Sequence, residues 1–92
     1  MKITRYSVSA CCGQKSLMFT TDCPIAKQHI TELSKHGFYE EAHFTKAGIF
    51  YVYNADFIIT GPIGSNKLQI KQKGREDMSK KLNDLEVLLG KL

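Results

Sequence analysis

Between Ala47 and Gly74 the chain alternates short apolar runs with clusters of turn-forming residues. Gly48-Ile49-Phe50-Tyr51-Val52-Tyr53 and Phe57-Ile58-Ile59 are apolar at successive positions. Lys67 to Lys73 alternates, with Leu68 and Ile70 on one side and Lys67, Gln69, Lys71 and Lys73 on the other. Asn54-Ala55-Asp56 and Gly61-Pro62-Ile63-Gly64-Ser65-Asn66 punctuate the runs. Period-two runs between such clusters predict a β-meander around which the remaining chain packs. The first two runs are expected to be central and covered on both sides. The third keeps one face against water or against an anion.

Ahead of the meander, Lys2 to Ala10 is β-prone, with Ile3, Tyr6 and Val8 as expected buried positions. Ile3 and Tyr6 differ in parity, which calls for a bulge or a two-sided strand. Cys11-Cys12-Gly13-Gln14 reads as a turn and Ser16 to Thr21 as the returning strand. Asp22-Cys23-Pro24 marks a helix start, with Pro24 suited to the first helical position. Ile25, Ala26, Ile30 and Leu33 form its apolar stripe, with His29 on the same side. Gly37 suits the left-handed residue past its end, and Phe38 is placed to fold back on Leu33. Tyr39 to Lys46 fits either a short strand or a link.

A second helix is predicted from about Glu76 to Leu89. Acidic residues suit its start, and Glu76–Lys80 and Asp77–Lys81 are supportive pairs one turn apart. Met78, Leu82, Leu85, Leu89 and Leu92 form an apolar seam, widened by Leu88. Two heptads are too few for a coiled coil, so packing on the sheet competes with self-association as the use of this seam. The expected architecture is one α+β domain over residues 1–92. It has about five mostly antiparallel strands in the order β-β-α-β-β-β-α, with two helices packed on the sheet. A small curled barrel with appended helices is the alternative.

Composition narrows the class. With 42% hydrophobic and 24% charged residues, the chain has the make-up of a folded domain rather than a disordered one. The formal net charge of +4 equals the charge of Lys67, Lys71, Lys73 and Arg75, a run without an acid. That placement points to an anionic partner. The plain alternative is a lysine-blunted edge strand. No apolar run suffices for a membrane span or a signal peptide. Three cysteines without an export signal lead to the expectation of free thiols in a reducing cytoplasm.

Candidate chemistry is sparse. Cys11, Cys12 and Cys23 with His29, His36 and His43 are metal-ligating types, but the adjacent cysteines lack C-x2-4-C spacing. His29, Glu32 and His36 share a helix face, where packing and a favourable charge at the helix end compete with ligation. Cys23 falls near the expected helix start, which would favour its thiolate, with Cys11 or Cys12 as a resolving partner. Gly61 to Lys67 departs from a phosphate-binding loop in spacing and in the strand that follows it, although its amides and Lys67 remain an anion-cradle candidate. No serine-histidine-acid arrangement is legible, and the expectation is a protein that is not an enzyme and needs no cofactor.

The first functional expectation is a small non-enzymatic binding or structural protein that forms a homo-oligomer. If both helices cover one face, Ile49, Tyr51 and Tyr53 form an exposed apolar patch or meet another chain. Met78, Leu82, Leu85 and Leu89 offer a second self-association surface. The second is a nucleic-acid-binding module in which Lys67, Lys71, Lys73 and Arg75 flank Tyr51 and Tyr53, pairing a basic groove with aromatic stacking. The third is a thiol or metal site at Cys11, Cys12 and Cys23.

Overall fold

The meander forms the middle of a six-stranded antiparallel sheet in a computed structural model that describes residues 2–11, 14–74 and 79–92. In chain order the elements are β1 (Ile3–Cys11), β2 (Gln14–Thr21), α1 (Lys27–Ser34), β3 (Tyr39–Glu40), α2 (Ala42–Lys46), β4 (Ile49–Tyr53), β5 (Phe57–Pro62), β6 (Lys67–Gln72) and α3 (Ser79–Gly90). The strands lie side by side as β1-β2-β6-β5-β4-β3. This is the expected single α+β domain, with two additions. Tyr39 to Lys46 supplies both a two-residue strand and a five-residue helix. β1 and β3 are open edges, so the sheet does not close into a barrel.

Local chemistry accounts for the turns. The Asn54 side chain accepts from the amides of Asp56 and Phe57 at 2.9 and 2.8 Å, closing the β4–β5 connection as an Asx turn. Gly37 ends α1 with φ 89°, and the Phe38 amide donates back to the Leu33 carbonyl at 3.3 Å. Phe38 is buried beside Leu33, as a Schellman motif requires. The β1–β2 register shifts between Arg5 and Ser7, a bulge that resolves the parity of Ile3 and Tyr6. Ile3 packs against the core, whereas Tyr6 is exposed rather than buried.

One face of the sheet carries the core. Leu17 and Phe19 of β2, Leu68 and Ile70 of β6, Phe57 and Ile59 of β5, and Phe50 and Val52 of β4 are buried on it. Ile30 and Leu33 of α1 and Leu85 and Leu89 of α3 cover that face. α1 lies against β3 and β4, and α3 against β1. Arg5 ties β1 to α3 by an ion pair to Glu86 at 3.0 Å, while its guanidinium lies 5.8 Å from the Phe19 ring centre. The two expected ion pairs at Glu76 and Asp77 lie outside the described residues; Lys81 reaches Asp56 of the β4–β5 turn at 3.3 Å.

The start of α1 differs from expectation. Pro24 is not helical. Residues 23–26 precede the helix, and Ile25 bonds to the β5–β6 turn through its amide to the Ser65 carbonyl (3.0 Å) and its carbonyl to the Gly64 amide (2.7 Å). Those two tertiary bonds and the complete burial of Ile25 outweigh the local preference for proline in a first turn. The helix begins after Ala26, which has no side chain with which to cap it. The Ala26 amide instead donates to Nδ1 of His29 at 3.0 Å. His29 thus performs the reaching-back half of a capping box.

His29 is buried, and burial pushes its pKa below the ordinary imidazole value. Protonating Nδ1 would also set an N–H against the Ala26 N–H. The unfolded chain therefore takes up the proton at a higher pH than the folded one. His29 contributes its full stability above about pH 6.5, and this is lost as pH falls through the lower folded-state value. Urea midpoints are expected to fall between pH 7.5 and pH 5 by more in the wild type than in His29→Gln, which keeps the acceptor and cannot titrate. Equal falls in both proteins would assign the pH dependence elsewhere.

Candidate nucleic-acid interface

The sheet face turned away from α1 and α3 is where the expected binding residues meet. Alternation sends Lys67, Gln69 and Lys71 of β6 to this face, opposite buried Leu68 and Ile70. It also sends Tyr51 and Tyr53 of β4 there, opposite buried Phe50 and Val52. Register then builds rows across the strands. Ser16, Lys71, Ile58, Tyr53 and Tyr39 are successive cross-strand partners, as are Met18, Gln69, Thr60 and Tyr51. Gln69 also donates its side-chain amide to the Ser16 hydroxyl.

At the β4 end the aromatic rings form a contiguous cluster, a platform of tilted, edge-on and stacked rings. Tyr39 and Tyr53 lie 5.8 Å apart between ring centres, and Tyr53 and Tyr51 lie 6.4 Å apart, edge to face. Phe44 of α2 stacks on Tyr51 at 4.6 Å with an interplanar angle of 13°. The Lys73 ammonium sits 5.5 Å from the Tyr53 ring centre and donates to the Asn54 carbonyl at 3.0 Å. These groups border a depression of about 430 Å³ lined by Glu41, Phe44, Tyr51, Tyr53, Ile58 and Lys73. Tyr39 is 65% exposed, Phe44 40%, and Tyr51 and Tyr53 are half-buried, so ring surface faces solvent.

Lys67 and Lys71 are exposed on the same face. Five of the six sequence-derived contact residues therefore lie on one face, but only Lys73, Tyr51 and Tyr53 line the same depression; Lys71 shares the row of Tyr53, and Lys67 lines a separate recess at the other end of the face. The sixth, Arg75, lies outside the described residues. Tyr39, Phe44 and Ile58 complete the surface but were not singled out from sequence. Their clue was the density of aromatic residues from Phe38 to Tyr53. That density became interpretable once Tyr39 was seen to pair with Tyr53.

The C-terminal seam is used differently from the self-association expectation. Leu85 and Leu89 are buried under the sheet, and Leu82, Leu88 and Leu92 pack at the margin of the same core. Met78 lies outside the described residues. Leu85 and Leu89 are therefore taken by the core of the chain itself, because they lie on the side of α3 that faces the sheet.

The anion-cradle candidate at Gly61 to Lys67 is also corrected. The amides of Ile63, Gly64 and Ser65 donate to the carbonyls of Gly48, Ile25 and Pro62, and that of Lys67 to the Ser65 hydroxyl. Those donors are occupied by the fold. Cys12 lies outside the described residues, and Cys23 is half-buried in the segment ahead of α1, which begins only at Lys27. His29 spends Nδ1 on Ala26, and Glu32 pairs with Lys35 at 3.3 Å. Among the described residues no three His, Cys, Asp or Glu side chains converge. No described helix is long and apolar enough to cross a membrane. Compared with protein-family models, curated proteins and solved structures, the chain matches none.

Proposed function

We propose that this protein is a non-enzymatic binding module that holds single-stranded nucleic acid on the open face of its sheet. The observation that carries the reading is the aromatic platform Tyr39–Tyr53–Tyr51–Phe44 beside Lys71 and Lys73 on the face that no α1 or α3 residue covers. Every base has a π-face, and stacking on such side chains is worth about 1–3 kcal/mol per base. Lysines alongside supply the sequence-independent attraction to phosphate.

Charge favours this occupant over a second copy of the chain. A two-fold contact joins the same patch to itself. Lys67 and Lys71 would then be buried facing a surface carrying the same lysines, whereas interface centres are normally depleted of charge. An anionic polymer meets no such penalty.

The test is fluorescence anisotropy with labelled oligothymidylate over a salt series. Three lysines contacting phosphate give an expected slope of log affinity against log salt of about −2, or roughly a 20-fold loss between 50 and 200 mM. Tyr53→Ala is expected to weaken binding by about 10-fold at every salt concentration while leaving the slope unchanged. Absence of binding at low salt, with a concentration-dependent dimer in native mass spectrometry, would make a second copy the occupant and overturn the reading.

A further inference from the structure

We infer that the open face holds two separate nucleotide subsites, and that a strand bound at the aromatic platform continues into an apolar recess at the opposite end of β4. This rests on the reading of the face as a single-strand binding surface. The recess has a volume of about 380 Å³. Met18 and Gln69, cross-strand partners on β2 and β6, form one wall. Ile49 and Pro62, partners on β4 and β5, form the other. Thr60, the cross-strand partner of Gln69, also lines it.

This composition suits a base. Ile49, Pro62 and the polarisable Met18 thioether offer apolar surface to its faces. Gln69 and Thr60 offer donors and acceptors to its edge. Lys67 stands exposed at the lining, placed for the adjoining phosphate. The same pairing of base surface with a cation recurs at the platform, where Lys71 shares a row with Ile58 and Tyr53. Each end of the face thus has its own stacking or apolar element and its own lysine.

Spacing makes the two ends distinct sites. Tyr53 and Ile49 are the two ends of β4, about 13 Å apart at strand rise. One nucleotide cannot occupy both, and a short oligonucleotide spans them. Linking two sites in one ligand raises affinity by the effective concentration of the second end, commonly about 100-fold or more.

The experiment compares a thymidine dinucleotide with a hexanucleotide at low salt. The hexanucleotide is expected to bind at least about 100-fold more tightly. Ile49→Asn, at an exposed position, is expected to remove most of that gain and leave dinucleotide binding unchanged. Met18→Ala should act in the same direction, whereas Val87→Asn on exposed α3 surface should change neither ligand. Tyr53→Ala should weaken both. A hexanucleotide gain that survives Ile49→Asn and Met18→Ala, or a gain below about 10-fold, overturns the second subsite and leaves the single-strand reading standing. Binding of neither ligand overturns the reading itself.

Discussion

Replacing Gly61 with alanine is expected to lower the stability of this domain by about 3 kcal/mol or more, through a clash that no rotamer relieves. A β-carbon built at Gly61 falls 2.6 Å from the Lys67 carbonyl oxygen and 3.1 Å from Cδ1 of Ile25. The first neighbour is backbone of the adjoining strand. The second is a fully buried side chain whose segment is tied to the β5–β6 turn. Accommodation requires β5 and β6 to separate where the turn, the approach to α1 and the recess converge. For a domain of this size the loss corresponds to a fall in Tm of about 12 °C or more. Thermal unfolding of purified Gly61→Ala checks it. Adding Ile25→Val separates the causes: it should not restore stability, because the carbonyl contact remains. A fall in Tm below about 4 °C would show that the strands part cheaply there.

The other large effect concerns charge. Lys67→Glu with Lys71→Glu is expected to reduce affinity for single-stranded oligonucleotides by about 100-fold or more and to flatten most of the salt dependence. Both lysines are exposed on the open face, so their reversal leaves the core intact. The control is Lys27→Glu with Lys91→Glu, at exposed positions on α1 and after α3. Both double variants have zero formal net charge, starting from +4. If the control loses as much affinity as the open-face variant, overall charge rather than the lysine-bearing strand governs binding. Retained affinity in the control with loss in the other variant supports the face.

The legible parts of the fold are those whose causes are local. Asn54 closes its own turn and Gly37 ends its own helix, so the meander and the α1 terminus could be read from neighbouring residues. Alternation in Lys67 to Lys73 likewise placed the lysines together on one face. The start of α1 was misread because its determinant is distant in sequence: Ile25 exchanges backbone bonds with Gly64 and Ser65. Tyr39 to Lys46 has neither helical nor strand period because it changes structure after two residues. Phe44 and Tyr39 therefore could not be assigned to the aromatic platform. The leucines of α3 were visible as a stripe, but periodicity cannot distinguish a surface for another chain from a lid on its own core. The topology that sets α1 and α3 on one face puts Leu85 and Leu89 into the chain's own core.

The pairing of β2 with β6 has a consequence for biogenesis. It joins residues as far apart as Ser16 and Lys71, and among the described residues it is the sole strand contact that attaches the β1–β2 hairpin to the meander. An isolated two-stranded hairpin is marginally stable in water. As the chain leaves a ribosome, its first hairpin therefore waits, with Leu17 and Phe19 uncovered, until synthesis has passed β6 and that strand has left the exit channel. The β1–β2 hairpin is thus made before the meander but can join the sheet only after the meander's last strand.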